Sequence, residues 1–158
     1  IAVATAHFPQ GTTGQQIDAL ARAPMWSVGL DYAHGTGHGV GHVMQVQEGP
    51  ASISKRGTVA LEAGMLLSNE PGHYRQGEWG IRTETLIAIS EADADGFMGF
   101  ETITLCPIDR RLIDPEMMPA SERAWLNDYH ARVEATLAPQ LAGETACLAW
   151  LQAACAPL

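Results

Sequence analysis

The chain has 158 residues, 46% of them apolar, and carries a formal net charge of −9 with an isoelectric point near 4.9. That size and apolar content suit one globular domain of ordinary length, and the acidic balance argues against nucleic acid or an anionic membrane surface as partner. No apolar run approaches the ~18 residues of a membrane-spanning helix, no basic segment precedes an apolar one as in a secretory leader, and Cys106, Cys147 and Cys155, without a CxxC spacing, read as free thiols of a reducing cytoplasm.

The chain opens on Ile1 rather than methionine, which suggests a processed or trimmed piece. Residues 1–8 alternate weakly and suit a short strand or a helix end. Thr12, Thr13 and Gly14 offer caps for a helix over 15–23, with Ile17, Leu20 and Ala21 as its apolar face and Pro24 as its stop. Next comes HGTGHGVGH, from His34 to His42. Histidines at every fourth position would line one helix face. But Gly35, Gly37, Gly39 and Gly41 would each cost such a helix about 1 kcal/mol against alanine. The helical zinc pattern HExxH also needs a glutamate where Gly35 stands. The run is therefore expected to be extended or looped, with bare backbone open to close approach. A polar glycine loop with incidental histidines is the competing reading.

Residues 40–47 (VGHVMQVQ) predict a strand, ended by Gly49-Pro50, and 65–69 (MLLSN) a second one before the Pro71-Gly72 turn. Residues 79–90 (WGIRTETLIAIS) read as the longest strand. Ile81, Thr83, Thr85, Ile87 and Ile89 point one way, and Arg82, Glu84, Leu86 and Ala88 the other. Residues 100–105 give a fourth strand. After Pro107 the strand pattern stops. Trp125, Tyr129, Val133 and Leu137 recur every four residues and predict a helix over 119–137, with another over 144–155. Trp125 and Trp150 are expected to pack these helices, a dimer interface being the other place for them. The organisation is an α+β body over residues 1–107 with a helical extension over 108–158.

Glu84 is an odd residue for a strand otherwise fit for burial, because buried charges must be paired or bind metal. An exposed strand face is the alternative. Glu70 closes the second strand just before a turn. Together with a histidine these glutamates form a hard N/O set suited to Mn²⁺, Zn²⁺, Co²⁺ or Fe²⁺, although spacing alone does not bring them together.

HGTGHGVGHVMQVQEGP, LEAGMLLSNEPGHY and WGIRTETLIAI, in that order, resemble the catalytic block of the aminopeptidase P group of pita-bread metallopeptidases. IAVATAHFPQGTTG and LARAPMWSVGLDYAHG fit the same register. WLNDYHARV and AWLQAACAPL resemble the C-terminal extension of its longer, cytosolic subfamily. The resemblance implies the C-terminal half of a pita-bread fold: an antiparallel sheet with helices, plus the helical extension. It implies removal of the N-terminal residue from peptides with proline second, and two divalent metals in the full enzyme, manganese first, zinc or cobalt otherwise. By match, His38, Glu70 and Glu84 are metal ligands, with Glu70 also the general base. His34 contacts substrate and steadies the tetrahedral intermediate, and Arg82 orients a carboxylate ligand. Gly72 and Tyr74 flank the site without chemistry of their own.

Two departures stand out. The family has a histidine before EGP where this chain has Gln47, which can hydrogen-bond a substrate carbonyl but not carry a proton charge; His42 is a nearby substitute. The family site also takes two aspartates, and neither Asp18 nor Asp31 matches them. The expectation is that this chain holds at most one ion, is nearly inactive alone, and covers its exposed sheet face by dimerising or by rearranging. Relatives such as dipeptidases or creatine-hydrolysing enzymes share the fold, but the long tail favours aminopeptidase P. A non-catalytic pita-bread module that binds peptides or proteins is the alternative. His7, His73 and His130 are taken as structural or exposed, and neither a membrane nor a nucleic-acid partner is expected.

Overall fold

Helix α1 (Gly14–Trp26) starts at Thr13, whose backbone N–H donates to the Gln16 side-chain oxygen at 2.8 Å, one half of a capping box. Its apolar face sends Ile17 into the core, with Ala21 packed against it. Pro24 does not stop the helix, as the sequence suggested. It lies in the final turn, where its missing N–H removes one bond only, and the chain leaves through Ser27 and the positive-φ Gly29. The computed structural model describes residues 1–43 and 45–158. They fall into two units, Ala2–Thr104 and Leu105–Leu158 with Ile1.

The larger unit is built on an antiparallel four-stranded sheet of β1 (His7–Pro9), β8 (Phe97–Thr102), β7 (Thr85–Glu91) and β4 (Leu66–Asn69), in that spatial order. The alternation read from the sequence holds in β7, which buries Thr85, Ile87 and Ile89 on one face. With Leu67, Met98, Phe8 and Val3 they form the core. Two small ribbons complete the unit: β2 (Gly37–His38) with β3 (Ser52–Ile53), and β5 (Gly72–Arg75) with β6 (Trp79–Arg82).

Three strand expectations change. The strand over 100–105 forms three residues earlier, where the ladder to β7 is available. The described residues of 40–47 form no strand, and Met44 lies outside the described residues. Here the chain bonds to itself instead. The Gly41 N–H donates to the Gln45 carbonyl and the Glu48 N–H to the Gly39 carbonyl, leaving Val43 and Val46 69% and 76% exposed. Alternation without a sheet to face does not make a strand. Finally, the run 79–90 is two strands, β6 and β7, separated at Thr83 and Glu84.

In the smaller unit, α2 (Ala120–Leu137) packs on α3 (Thr145–Cys155) through Leu126, Tyr129, Val133, Leu151 and Cys155. Trp125 packs against this core and stacks on Tyr129, with centroids 5.5 Å apart. Trp150 is 61% exposed rather than packed, because the face α3 buries carries Leu151 and Cys155. His130 is fully buried: its Nε2 accepts the Ile108 N–H at 3.0 Å, and its Nδ1 has no partner among the described residues. Cys106 and Cys147 are exposed and Cys155 is buried, all as free thiols. No helix among the described residues is long and apolar enough to cross a membrane.

Candidate active site

The break at Thr83–Glu84 has a counterpart across the hairpin. Asn69 pairs with Thr85, and Gly72 pairs with Arg82. Both pairs keep one register, and Glu70 and Glu84 lie in the interruption of the ladder between them. The cause is local. Pro71 has no N–H to give, and the Glu70 N–H turns away to the Thr36 carbonyl at 2.7 Å. The interruption frees the Glu70 side chain from the sheet pattern and ties its backbone to the glycine-histidine run.

That run reaches the same place as β2. Gly37 has the Ser68 carbonyl where a Cβ would stand, so only glycine permits the approach. Ser68, fully buried, accepts the His38 N–H at 3.0 Å and donates to Glu70 Oε1 at 2.8 Å. His38 Nε2 lies 3.2 Å from the same oxygen. Its Nδ1 is 3.0 Å from the Gly39 carbonyl, which can only accept, so Nδ1 carries the hydrogen. In the neutral ring, Nε2 then turns a lone pair toward a carboxylate oxygen. Two acceptors so close repel unless a proton or a cation lies between them. Metal–ligand bonds of about 2.0–2.2 Å allow one divalent ion to touch both. The donor set fits such an ion.

A second chain of contacts starts from the other carboxylate oxygen. Arg82 Nη1 donates to Glu70 Oε2 at 2.6 Å, and Arg82 Nε donates to the Tyr74 hydroxyl at 2.9 Å. These two partners, Tyr74 first, raise the arginine's pKa further. The Tyr74 hydroxyl is 2.8 Å from His34 Nε2. His34 Nδ1 is 2.7 Å from the Gly35 carbonyl and must donate to it, so Tyr74 donates to Nε2. Tyr74, expected only to flank the site, links His34 to Arg82.

Behind His34 lies a buried ion pair. Arg22, 1% exposed, donates from Nε to Asp18 Oδ2 at 2.7 Å. It also reaches the Tyr32 carbonyl at 2.8 Å, the His34 carbonyl at 2.7 Å and Asp31 Oδ1 at 2.6 Å. Burial alone would lower the arginine's pKa; Asp18 and Asp31 more than offset that and leave it raised. Lys55 and then Arg22 hold the Asp31 carboxyl well below the usual range.

The structure thus brings His38, Glu70 and Arg82 together, and joins His34 to them through Tyr74. Glu84 is exposed at the interruption. Gln47 is exposed in the loop, with its carbonyl accepting from the Gln45 side chain. Among the described residues no three His, Cys, Asp or Glu side chains are grouped as a ready metal site. Sequence reading missed Ser68, Arg22 and Asp18. Only the i,i+4 spacing of Asp18 and Arg22 in a helix hinted at a pair.

The model of the metallopeptidase family M24 matches residues 1–91, and that of the C-terminal region of peptidase M24 matches residues 96–158. The chain belongs to metallopeptidase family M24. It corresponds to a C-terminal part of aminopeptidase P. It is 46% identical, over its whole length, to 26% of a probable Xaa-Pro aminopeptidase P of Laccaria bicolor. It is 44% identical, again over its whole length, to 25% of aminopeptidase P1 of Lotus japonicus. The chain spans about a quarter of the length of these curated relatives. Among solved structures, the X-prolyl aminopeptidase of Caenorhabditis elegans, described as a cytosolic enzyme with a di-nuclear active site, matches 99% of the chain. That match has a TM-score of 0.94 at 41% identity and covers 27% of the worm enzyme. Prolidase from Pyrococcus furiosus matches 64% of the chain, and 28% of its own, with a TM-score of 0.54 at 29% identity. The fold is accordingly that of the pita-bread M24 enzymes, mixed α+β with an antiparallel sheet.

Proposed function

We propose that the chain is the C-terminal catalytic portion of a metal-dependent Xaa-Pro aminopeptidase, with His38, Glu70 and Glu84 as its share of the metal ligands. The chemistry belongs to residues 1–107, with 108–158 a helical extension. The observation that carries this is the approach of His38 Nε2 to Glu70 Oε1, 3.2 Å apart. Glu84 lies in the same interruption of the ladder as Glu70. When bound, a divalent ion supplies a Lewis acid for the scissile carbonyl and for water. Ser68 and Arg82 hold the two oxygens of Glu70, the base that takes a proton from the attacking water. His34 exchanges Tyr74 for substrate at Nε2 and, in its protonated form, donates to the developing oxyanion. Gln47 is the residue of this reading that contacts a substrate carbonyl, as a hydrogen-bond partner without charge.

Manganese is the metal of this reading, with zinc or cobalt as substitutes, and the peptide substrates have proline second. The two aspartate ligands that the resemblance implies have no match here, so the chain alone binds at most one ion and hydrolyses little. Three free thiols and the description of the worm relative support a cytoplasmic setting. Large exposed apolar side chains, Val28, Trp79 and Trp26 among them, support homodimer formation. Isothermal titration with Mn²⁺ tests the central claim. One weak site is expected, lost in His38→Ala and in Glu70→Ala; two tight sites, or binding indifferent to both changes, would overturn it. A peptide-binding module without chemistry is the second reading, favoured by Gln47 at the family's histidine position.

A further inference from the structure

His34 lies on a loop rather than a regular element, yet its ring is held by two tyrosines. Tyr32 packs against it in a tilted contact, with centroids 4.9 Å apart, and Tyr74 meets it edge-on at 5.4 Å with its hydroxyl at Nε2. Tyr32 is itself fixed. The Arg22 guanidinium sits 4.0 Å over its ring, a cation–π contact in a dry setting. Its hydroxyl is 2.5 Å from Thr36 Oγ1, and Thr36 donates to Asp18 Oδ1 at 2.5 Å. Because the Thr36 hydrogen is committed to the carboxylate, Tyr32 donates to Thr36. Burial, the largest influence, keeps the Tyr32 phenol neutral by raising its pKa. Arg22 also grips the backbone on both sides of Ala33, through the carbonyls of Tyr32 and His34.

A buried ion pair is weak evidence for stability, since desolvation offsets much of its attraction, and its better-attested use is to select one arrangement. This pair spends its remaining donors and acceptors on the short segment that carries His34. We propose that Tyr32, Arg22 and Asp18 are positioning residues that set the orientation and tautomer of the His34 imidazole, keeping hydrogen on Nδ1 toward Gly35 and directing Nε2 to the reacting side. The significance of this for catalysis rests on the role given to His34 above; the brace itself needs no metal.

The test is long-range ¹H–¹⁵N NMR of the histidine rings in the 158-residue chain without added metal. In the wild type, the two His34 nitrogens are expected to be widely split, with the hydrogen on Nδ1. Tyr32→Leu removes the ring face and should collapse that split toward the average of a free side chain. Tyr32→Phe, which keeps the face, should restore most of it. Thr36→Val and Arg22→Lys should reduce the split in part. His7, on β1, serves as the control and should not move. A split equally wide in Tyr32→Leu and in the wild type overturns the proposal. So does equal disturbance of His7 and His34, which marks general unfolding. If Arg22→Lys fails to fold, the Phe and Leu pair at Tyr32 still decides. Because no metal is present, a failed Mn²⁺ titration with a responsive His34 would remove the metal reading and leave the brace. The reverse outcome would remove the brace alone.

Discussion

Ser68 shows how much one small side chain can hold. Its hydroxyl takes the His38 amide hydrogen and gives its own to Glu70, in a fully buried position. Ser68→Ala leaves both groups short of a partner, and a buried polar group without one costs about 1–3 kcal/mol. The expected result is a loss of that size in denaturant unfolding, with weaker Mn²⁺ binding by calorimetry, because Glu70 loses a contact that aims it. Glu84 behaves oppositely. Without metal it adds a second negative charge at the interruption that holds Glu70, so Glu84→Gln should raise the melting temperature of the metal-free chain while weakening Mn²⁺ binding. A lower melting temperature would mean that the two carboxylates do not repel each other. Glu70 and Glu84 could be singled out in the sequence as glutamates at a turn and in an apolar strand. Ser68 could not, because a serine within a four-residue strand carries no pattern of its own.

The active-site elements are short, and close backbone approach determines their placement. β2 reaches β4 because Gly37 has no Cβ; alanine there would meet the Ser68 carbonyl, and Gly39 would likewise meet the Glu48 carbonyl. Gly37→Ala should therefore destabilise by about 1–3 kcal/mol, as overpacking does, and should separate His38 from Glu70. Unfolding curves check the first consequence and metal titration the second. The glycine spacing did indicate a backbone open to close approach, but not what approaches it. The split of 79–90 into β6 and β7 could not be read locally either. The alternation runs through the break without a change, and the break is set by Pro71 and by Thr36 on other segments. The helix α2 was legible because the recurrence of Trp125, Tyr129, Val133 and Leu137 is internal to it.

At the scale of the whole chain, each unit has its own response to acid. In the smaller unit, burial and then Arg110 lower the His130 pKa from its ordinary value. The unfolded chain binds that proton more readily, so this contribution is complete above about pH 6.5 and is lost as pH falls toward the lowered folded value. In the larger unit the Asp31 carboxyl, bound by Lys55 and Arg22, has a lowered pKa. Its contribution is present above about pH 4 and fades below that. Thermal melts followed by the stacked Trp125 and Tyr129 should show the smaller unit weakening as pH falls below about 6.5. His130→Phe should flatten that dependence. An unchanged slope in this variant would show that other groups govern it. Light scattering across a concentration series checks self-association, with a dimer expected and a persistent monomer counting against it.

The sequence by itself determined the kinds of element and the motifs. An alternating run, a helical period or a glycine beside a histidine constrains the backbone within a few residues, whatever surrounds it. It therefore sufficed for the α+β class, and the resemblance of the quoted motifs sufficed for the family. Only the tertiary structure decided the partners. Tyr74 meets His34 across forty residues of chain, Ser68 meets His38 across thirty, and Arg22 reaches forward to the loop that carries His34. Such contacts depend on which carbonyls and hydroxyls are left over once the sheet and helix bonds are made. That remainder is settled by packing over the whole unit, and no short stretch of residues encodes it.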